Sequence, residues 1–124
     1  MLTFPHARYR ILSNRIRKIP VKEFLKSLPD KFSKKIAWTL RAVRETDPVP
    51  SQYLKKLKNT DDIWEIRATA GSNTFQLLGF FDNTKLIILT NGFAKKSQKI
   101  PKKEIVLAEQ RKQDYYRRKN HEKR

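Results

Sequence analysis

The side chains in this sequence that could do chemistry are of few kinds. There is no cysteine, and His6 and His121 stand near opposite ends. Thiolate metal sites, a cysteine nucleophile and paired-histidine acid–base chemistry therefore have nothing to work with. Any reaction must use Lys, Arg, Tyr or carboxylates. The densest set lies between Thr90 and Ile105, where Lys95, Lys96, Lys99, Lys102 and Lys103 follow Phe93 and straddle Pro101. A second set, Lys55, Lys56 and Lys58, is interleaved with Leu54 and Leu57, so that segment keeps apolar anchors while presenting lysines. The third candidate is Arg67. Strand alternation over 63–69 puts Trp64, Ile66 and Ala68 on one face and Glu65, Arg67 and Thr69 on the other, so Arg67 projects away from the tryptophan.

Charge says what such side chains would meet. Lys and Arg number 29 against 12 acidic residues, a net charge of +17 that internal ion pairs cannot offset. Much of it must face solvent or a polyanion. Nucleic acid is the first candidate, because neutralising phosphates releases counterions; an acidic membrane surface or acidic protein comes second. Taken alone, the lysines at the junction are equally consistent with a solvated turn. The absence of cysteine points to a reducing compartment. The N-terminus has no apolar leader core and no segment reaches membrane-spanning length, so a soluble, cytoplasmic protein with no membrane partner is expected. No metal and no cofactor is expected.

The elements that must position these residues follow from periodicity. A chain of 124 residues fits one domain over 1–124, with a basic, frayed tail from about Arg117. Residues 7–12 alternate as a strand, with Tyr9 and Ile11 on one side and Arg8 and Arg10 on the other. After a basic link over 14–19, Pro20 starts a short helix in which Val21, Phe24, Leu25 and Leu28 recur at helical spacing. A longer helix from Asp30 carries the stripe Phe32, Ile36, Leu40 and Val43, and Trp38 is assigned to packing beside it. Three strands of a meander follow, over 63–69, 74–81 and 85–93, with turn chemistry at Ala70–Asn73 and Asp82–Thr84. The middle strand is apolar on both faces apart from Thr74 and Gln76. A helix from Pro101 to about Lys119 closes the chain. The order implies an α+β fold, an antiparallel sheet with helices packed on one face, the two N-terminal ones among them, and a C-terminal helix.

Several strings go further than periodicity. Leu57 to Arg67, ending in Ile-Trp-Glu-Ile-Arg, then Phe80-Phe-Asp82, then Asn91-Gly-Phe-Ala-Lys-Lys-Ser-Gln-Lys-Ile-Pro-Lys-Lys-Glu-Ile105, and finally Asp114-Tyr115, resemble the HigB-type, phage-derived branch of the RelE/ParE toxin superfamily over roughly residues 7–116. The resemblance implies the toxin of a type II toxin–antitoxin pair. Its partners would be mRNA on the ribosome and a helix-turn-helix, HigA-like antitoxin. Its activity would be ribosome-dependent endoribonuclease cleavage of mRNA, which inhibits translation. Such cleavage by the RNA's own 2′-hydroxyl needs a base, cations for the phosphate oxygens and a proton for the leaving 5′-oxygen. Lys, Arg and Tyr can fill these roles, although their ordinary pKa values suit charge stabilisation better than proton transfer. Position by position, the implied catalytic set is Arg67, Lys55, Lys56, Lys58 and Tyr115, with Arg67 binding the phosphate. The implied RNA-binding set is Lys95, Lys96, Lys99, Gln76 and Asn91.

The chain also departs from the family pattern. Phe75-Gln76 stands where an aromatic–Arg pair is common, so an expected cation is missing; Asn91 stands where some members carry histidine, and Ile100 where they carry threonine. Two other readings therefore stay open: a ParE-like toxin that acts on a protein target without cleaving RNA, and a basic RNA- or ribosome-binding domain whose catalysis has decayed.

Overall fold

A computed structural model describes residues 8–11, 20–46, 48–82, 86–97 and 99–122. The expected basic link over 14–19 and the turn residues Asn83 and Thr84 lie outside the described residues, as do the side chains of the first strand. The elements run β1 (Arg8–Ile11), α1 (Pro20–Lys26), α2 (Asp30–Glu45), β2 (Leu54–Lys56), β3 (Trp64–Ala70), β4 (Asn73–Asp82), β5 (Leu86–Ala94) and α3 (Lys102–Glu122). This is the α+β order that the periodicity implies. The segment of presented lysines after Tyr53 supplies the short edge strand β2, which pairs with β3. Strand order in the sheet is β1-β5-β4-β3-β2. Strands β2 to β5 are antiparallel neighbours, while β1 joins β5 in parallel.

The helices divide between the two faces. On one, Trp64, Ile66, Ala68, Phe75, Leu77, Ile87 and Leu89 meet Val21, Ile36, Leu40 and Val43 of α1 and α2. On the other, Ile63, Leu78, Phe80 and Ile88 are covered by Ala108, with Ile105, Tyr115 and Tyr116 packed around them. The expectation that the helices share a face thus holds for α1 and α2 and fails for α3. Strands β4 and β5 are apolar on both sides, so a second layer is needed to take Phe80 and Ile88 out of water, at roughly 1.5–3 kcal/mol per large side chain.

Trp38 also departs from expectation: it is 45% exposed. It lies two residues past the buried Ile36, about 200° round the helix, and so points outward. Its indole meets the edge of Tyr53 at 6.0 Å and lies under Lys35 Nζ at 4.1 Å.

Two local features set what reaches the α3 side. Leu78 pairs with Asn91 but Gly79 with Leu89, so Thr90 is an extra residue in β5. Because side chains alternate, one added residue reverses the facing of everything after it and brings Asn91 and Phe93 to the α3 side. Gly79 permits the close approach, since a Cβ there would lie 2.5 Å from the Ile88 carbonyl oxygen. Gly71 turns β3 into β4 with φ 63°, a conformation a side chain would strain.

Candidate functional site

Helix α3 starts where the sheet still has one polar end to offer. Its backbone begins at Lys102, and Glu104 meets Asn91 of β5, so the helix covers the sheet from that row toward Asp82. The next row, Arg67 on β3, Gln76 on β4 and Phe93 on β5, lies at the margin of the cover. Beyond it come Thr69 and Thr74. Lys95 N donates to Thr74 O at 2.8 Å, which continues the pairing by one row and puts Lys95 on the Phe93 side by strand parity.

The centre of this end is a carboxylate. Glu65 has a side chain only 3% exposed, and its Oε1 lies 3.3 Å from Arg67 Nη2. Gln76, itself buried, donates from Nε2 to Glu65 Oε2. A buried carboxylate is tolerated only when its charge is compensated and its lone pairs are used, and here a guanidinium and an amide do both. Arg67 remains 41% exposed, so part of its fork faces outward. Its Nε is buried and has no hydrogen-bond partner among the described residues.

The other cations separate by strand parity. Lys55 is opposite Glu65 across β2 and β3, and directly paired residues share a face, so it joins Arg67. Lys56 is opposite Trp64 and belongs to the other face. It pairs with Asp62 at 2.7 Å; that hydrogen bond, with the charges of Lys56 and Lys112, holds the Asp62 carboxyl below its ordinary range. Lys58 is exposed in the turn past Trp64, before Asn59 and Asp62 with φ of 59° and 51°. Lys96 and Lys99 are exposed between β5 and α3, where Ser97 Oγ donates to Lys99 O at 2.9 Å.

Gln76 and Asn91, expected to contact RNA, are 2% and 4% exposed. Asn91 Nδ2 donates to the Glu104 carbonyl at 3.2 Å and to Glu104 Oε1 at 3.0 Å, and its Oδ1 accepts from Thr90 Oγ1 at 2.6 Å. It therefore fastens the first turn of α3 to β5. Arg111 Nη1 donates to the carbonyl of the bulge residue Thr90 at 2.7 Å. Burial holds the Arg111 guanidinium below its ordinary value, and Glu104 opposes that shift.

Tyr115 is far from Arg67. Its hydroxyl donates to Asp82 Oδ2 at the other end of β4, and its ring packs on Phe80 at 5.3 Å. Six residues of strand, about 20 Å, separate Asp82 from Gln76. Lys119 Nζ also reaches Asp82, at 2.6 Å, and α3 runs on to Glu122 through the segment expected to fray. The structure thus brings together Arg67, Gln76, Lys55 and Lys95, and leaves Lys56, Lys58 and Tyr115 elsewhere.

Sequence reasoning missed three contributors: Glu65, Phe93 and Arg111. Glu65 left a signal as a carboxylate two residues before Arg67 on the same strand face, and Phe93 left one as the aromatic ahead of the lysine run, while Arg111 left none. Among the described residues no group of three His, Cys, Asp or Glu side chains could hold a metal ion, and no helix is long and apolar enough to cross a membrane.

The family described as phage derived protein Gp49-like (DUF891) matches residues 23–113. No curated protein matches the chain.

Proposed function

The chain belongs to the phage-derived Gp49-like family, which is of RelE/HigB-like toxin type, and from that premise we propose that it is a HigB-type, ribosome-dependent mRNA endoribonuclease. The context of a toxin–antitoxin pair goes with the family. The observation that carries the finer reading is the half-exposed Arg67, anchored from behind by a buried carboxylate, with Lys55 and Lys95 on the same face.

In this reading the scissile phosphate sits on the outward edge of Arg67. A planar fork of donors suits the equatorial oxygens, whose charge grows as the RNA's 2′-hydroxyl attacks. Lys55 stands on the same face to stabilise that charge. As an ammonium it acts as a point charge for the phosphate oxygens and a proton donor to the leaving 5′-oxygen. Lys95, Lys96 and Lys99 track the backbone on either side of the break, and Phe93, in the same row as Arg67 but across Gln76 from it, offers a ring on which a base can stack. No strong base stands in the cluster, so much of the rate must come from alignment of the RNA by the ribosome. The partners are translated mRNA and a helix-turn-helix antitoxin encoded elsewhere, whose acidic surface would meet this basic end.

A second reading is favoured by one observation. Glu65 and Arg67 together carry no net charge, and Gln76 adds none, so the cluster is less cationic than its composition suggests. A domain that binds ribosomes without cutting would have this balance. The deciding experiment maps 5′ ends of a translated message after adding purified protein to translating ribosomes. Cleavage inside the message that disappears with Arg67→Ala supports the nuclease. Intact mRNA on ribosomes that still bind the protein selects the binding domain, and inhibited supercoiling with normal translation selects a ParE-like toxin.

A further inference from the structure

We infer that Glu65 is a positioning residue of the cleavage site: it fixes the Arg67 guanidinium in the orientation that receives the phosphate. The inference rests on the nuclease reading for its rate effect and on geometry alone for its structural part. In a chain of net charge +17, a carboxylate with 3% side-chain exposure is the outstanding local exception. It lies behind the one arginine that the strand face presents at this end among the described residues. Both of its oxygens are engaged, one with Arg67 Nη2 and one with Gln76 Nε2. With a side chain only 3% exposed and both oxygens engaged, Glu65 is poorly placed to serve as the base for a 2′-hydroxyl. What it can do is hold.

An arginine that projects from a strand has four flexible torsions and sweeps a wide arc. Bonded to Glu65 at one Nη, it keeps the rest of the fork in a single direction. The register supports this role. Residue 76 is directly opposite Arg67, and Glu65 is two residues back on Arg67's own strand, so Gln76 ties the carboxylate across the strands while Arg67 is held along the strand. The Nε of Arg67 is buried without a partner among the described residues, on the same edge as the Nη2 that Glu65 holds, so the donors left to face outward belong to the Nη groups.

Positioning and simple charge damping predict opposite results for Glu65→Gln. Removing a negative charge from a basic RNA site strengthens ground-state binding. If damping were the only role, the variant would bind more tightly and cleave at least as fast. If Glu65 positions Arg67, binding holds or tightens while turnover falls, since misplacement by about 1 Å costs on the order of 100-fold.

The test uses the full chain in the ribosome-dependent cleavage assay, with Arg67→Ala, Glu65→Gln and the swap Glu65→Gln/Gln76→Glu. The swap returns a carboxylate within reach of Arg67 from the opposite strand and pairs it again with an amide. The expected result is a kcat lowered about 100-fold by Glu65→Gln with KM unchanged or lower, and recovery of at least about a tenth of the wild-type rate in the swap. Should Glu65→Gln not fold, the swap alone decides. Wild-type kcat in Glu65→Gln, or a swap no faster than Arg67→Ala, overturns the inference. If the wild type does not cleave, the nuclease reading fails and the positioning claim is judged by arginine side-chain NMR. The Arg67 resonances, identified by their absence in Arg67→Ala, should show hindered guanidinium rotation in the wild type and averaging in Glu65→Gln. Identical spectra would refute it.

Discussion

Replacing Asn91 by Ala separates a residue that holds the site from one that touches RNA. The side chain is 4% exposed and makes hydrogen bonds to the Glu104 carbonyl at 3.2 Å, to Glu104 Oε1 at 3.0 Å and from Thr90 Oγ1 at 2.6 Å. The Thr90 hydroxyl has a second acceptor, the Leu78 carbonyl at 3.1 Å, so its own loss is small. The two bonds to Glu104 matter more, at about 0.5–1.5 kcal/mol net for the carbonyl and somewhat more for the carboxylate, discounted for partial exposure. Together they come to about 2 kcal/mol. For a chain of this size that corresponds to a fall in melting temperature of about 8 °C. A thermal melt followed by circular dichroism reads this directly. Binding of a single-stranded RNA, followed by fluorescence anisotropy across a salt series, should keep its salt slope in Asn91→Ala, since no phosphate contact is removed. In Lys95→Ala the slope should fall by about one. Unchanged melting with weakened RNA binding in Asn91→Ala would sink the argument that this side chain latches α3 and would return it to the RNA-contact role its sequence position suggests.

The cations divide in the same way. Lys55→Ala should lower cleavage by roughly 100- to 1000-fold, on the scale of one lost preorganised donor. Lys56→Ala should leave it within about 3-fold, because Lys56 faces the other side. The same Lys56 variant should let the Asp62 carboxyl titrate closer to its ordinary value, followed by NMR; equal rate losses in both lysine variants would contradict the register argument. Tyr115→Phe should cost about 1 kcal/mol of stability by urea denaturation, through the lost bond to Asp82, with cleavage unaltered. A rate loss without a stability loss would restore Tyr115 as a catalytic candidate. Alkaline unfolding provides the last check. Burial, with the Asp82 charge adding, raises the Tyr116 hydroxyl above its ordinary value of 10.0, so the neutral form is the one the fold favours. Its contribution is complete below about pH 10 and is lost as pH rises through the higher folded value. Tyr116→Phe should flatten that part of the stability curve above pH 10, and an unchanged curve would argue against it.

What could be read from the amino-acid order was whatever depends on neighbours along the chain. Helical recurrence of Ile36, Leu40 and Val43 and the alternation around Trp64 and Arg67 are properties of consecutive residues, and they placed α2, β3 and the outward arginine. The string from Asn91 to Ile105, with its lysines and Pro101, pointed to the toxin family before any strand was paired. Charge balance likewise required only counting. The tertiary structure decided everything that depends on pairing and layering. An extra residue at Thr90 reverses the facing of Asn91 and Phe93, which no alternation pattern within β5 reveals. Register against β3 distinguishes Lys55 from Lys56, adjacent and chemically identical in the chain. The placement of α3 on the second face leaves Tyr115 with Asp82 instead of Arg67. Glu65 reads as one more polar strand residue until its burial beneath Arg67 and Gln76 is seen, because burial depends on which layers meet above a position and not on the residues beside it in sequence.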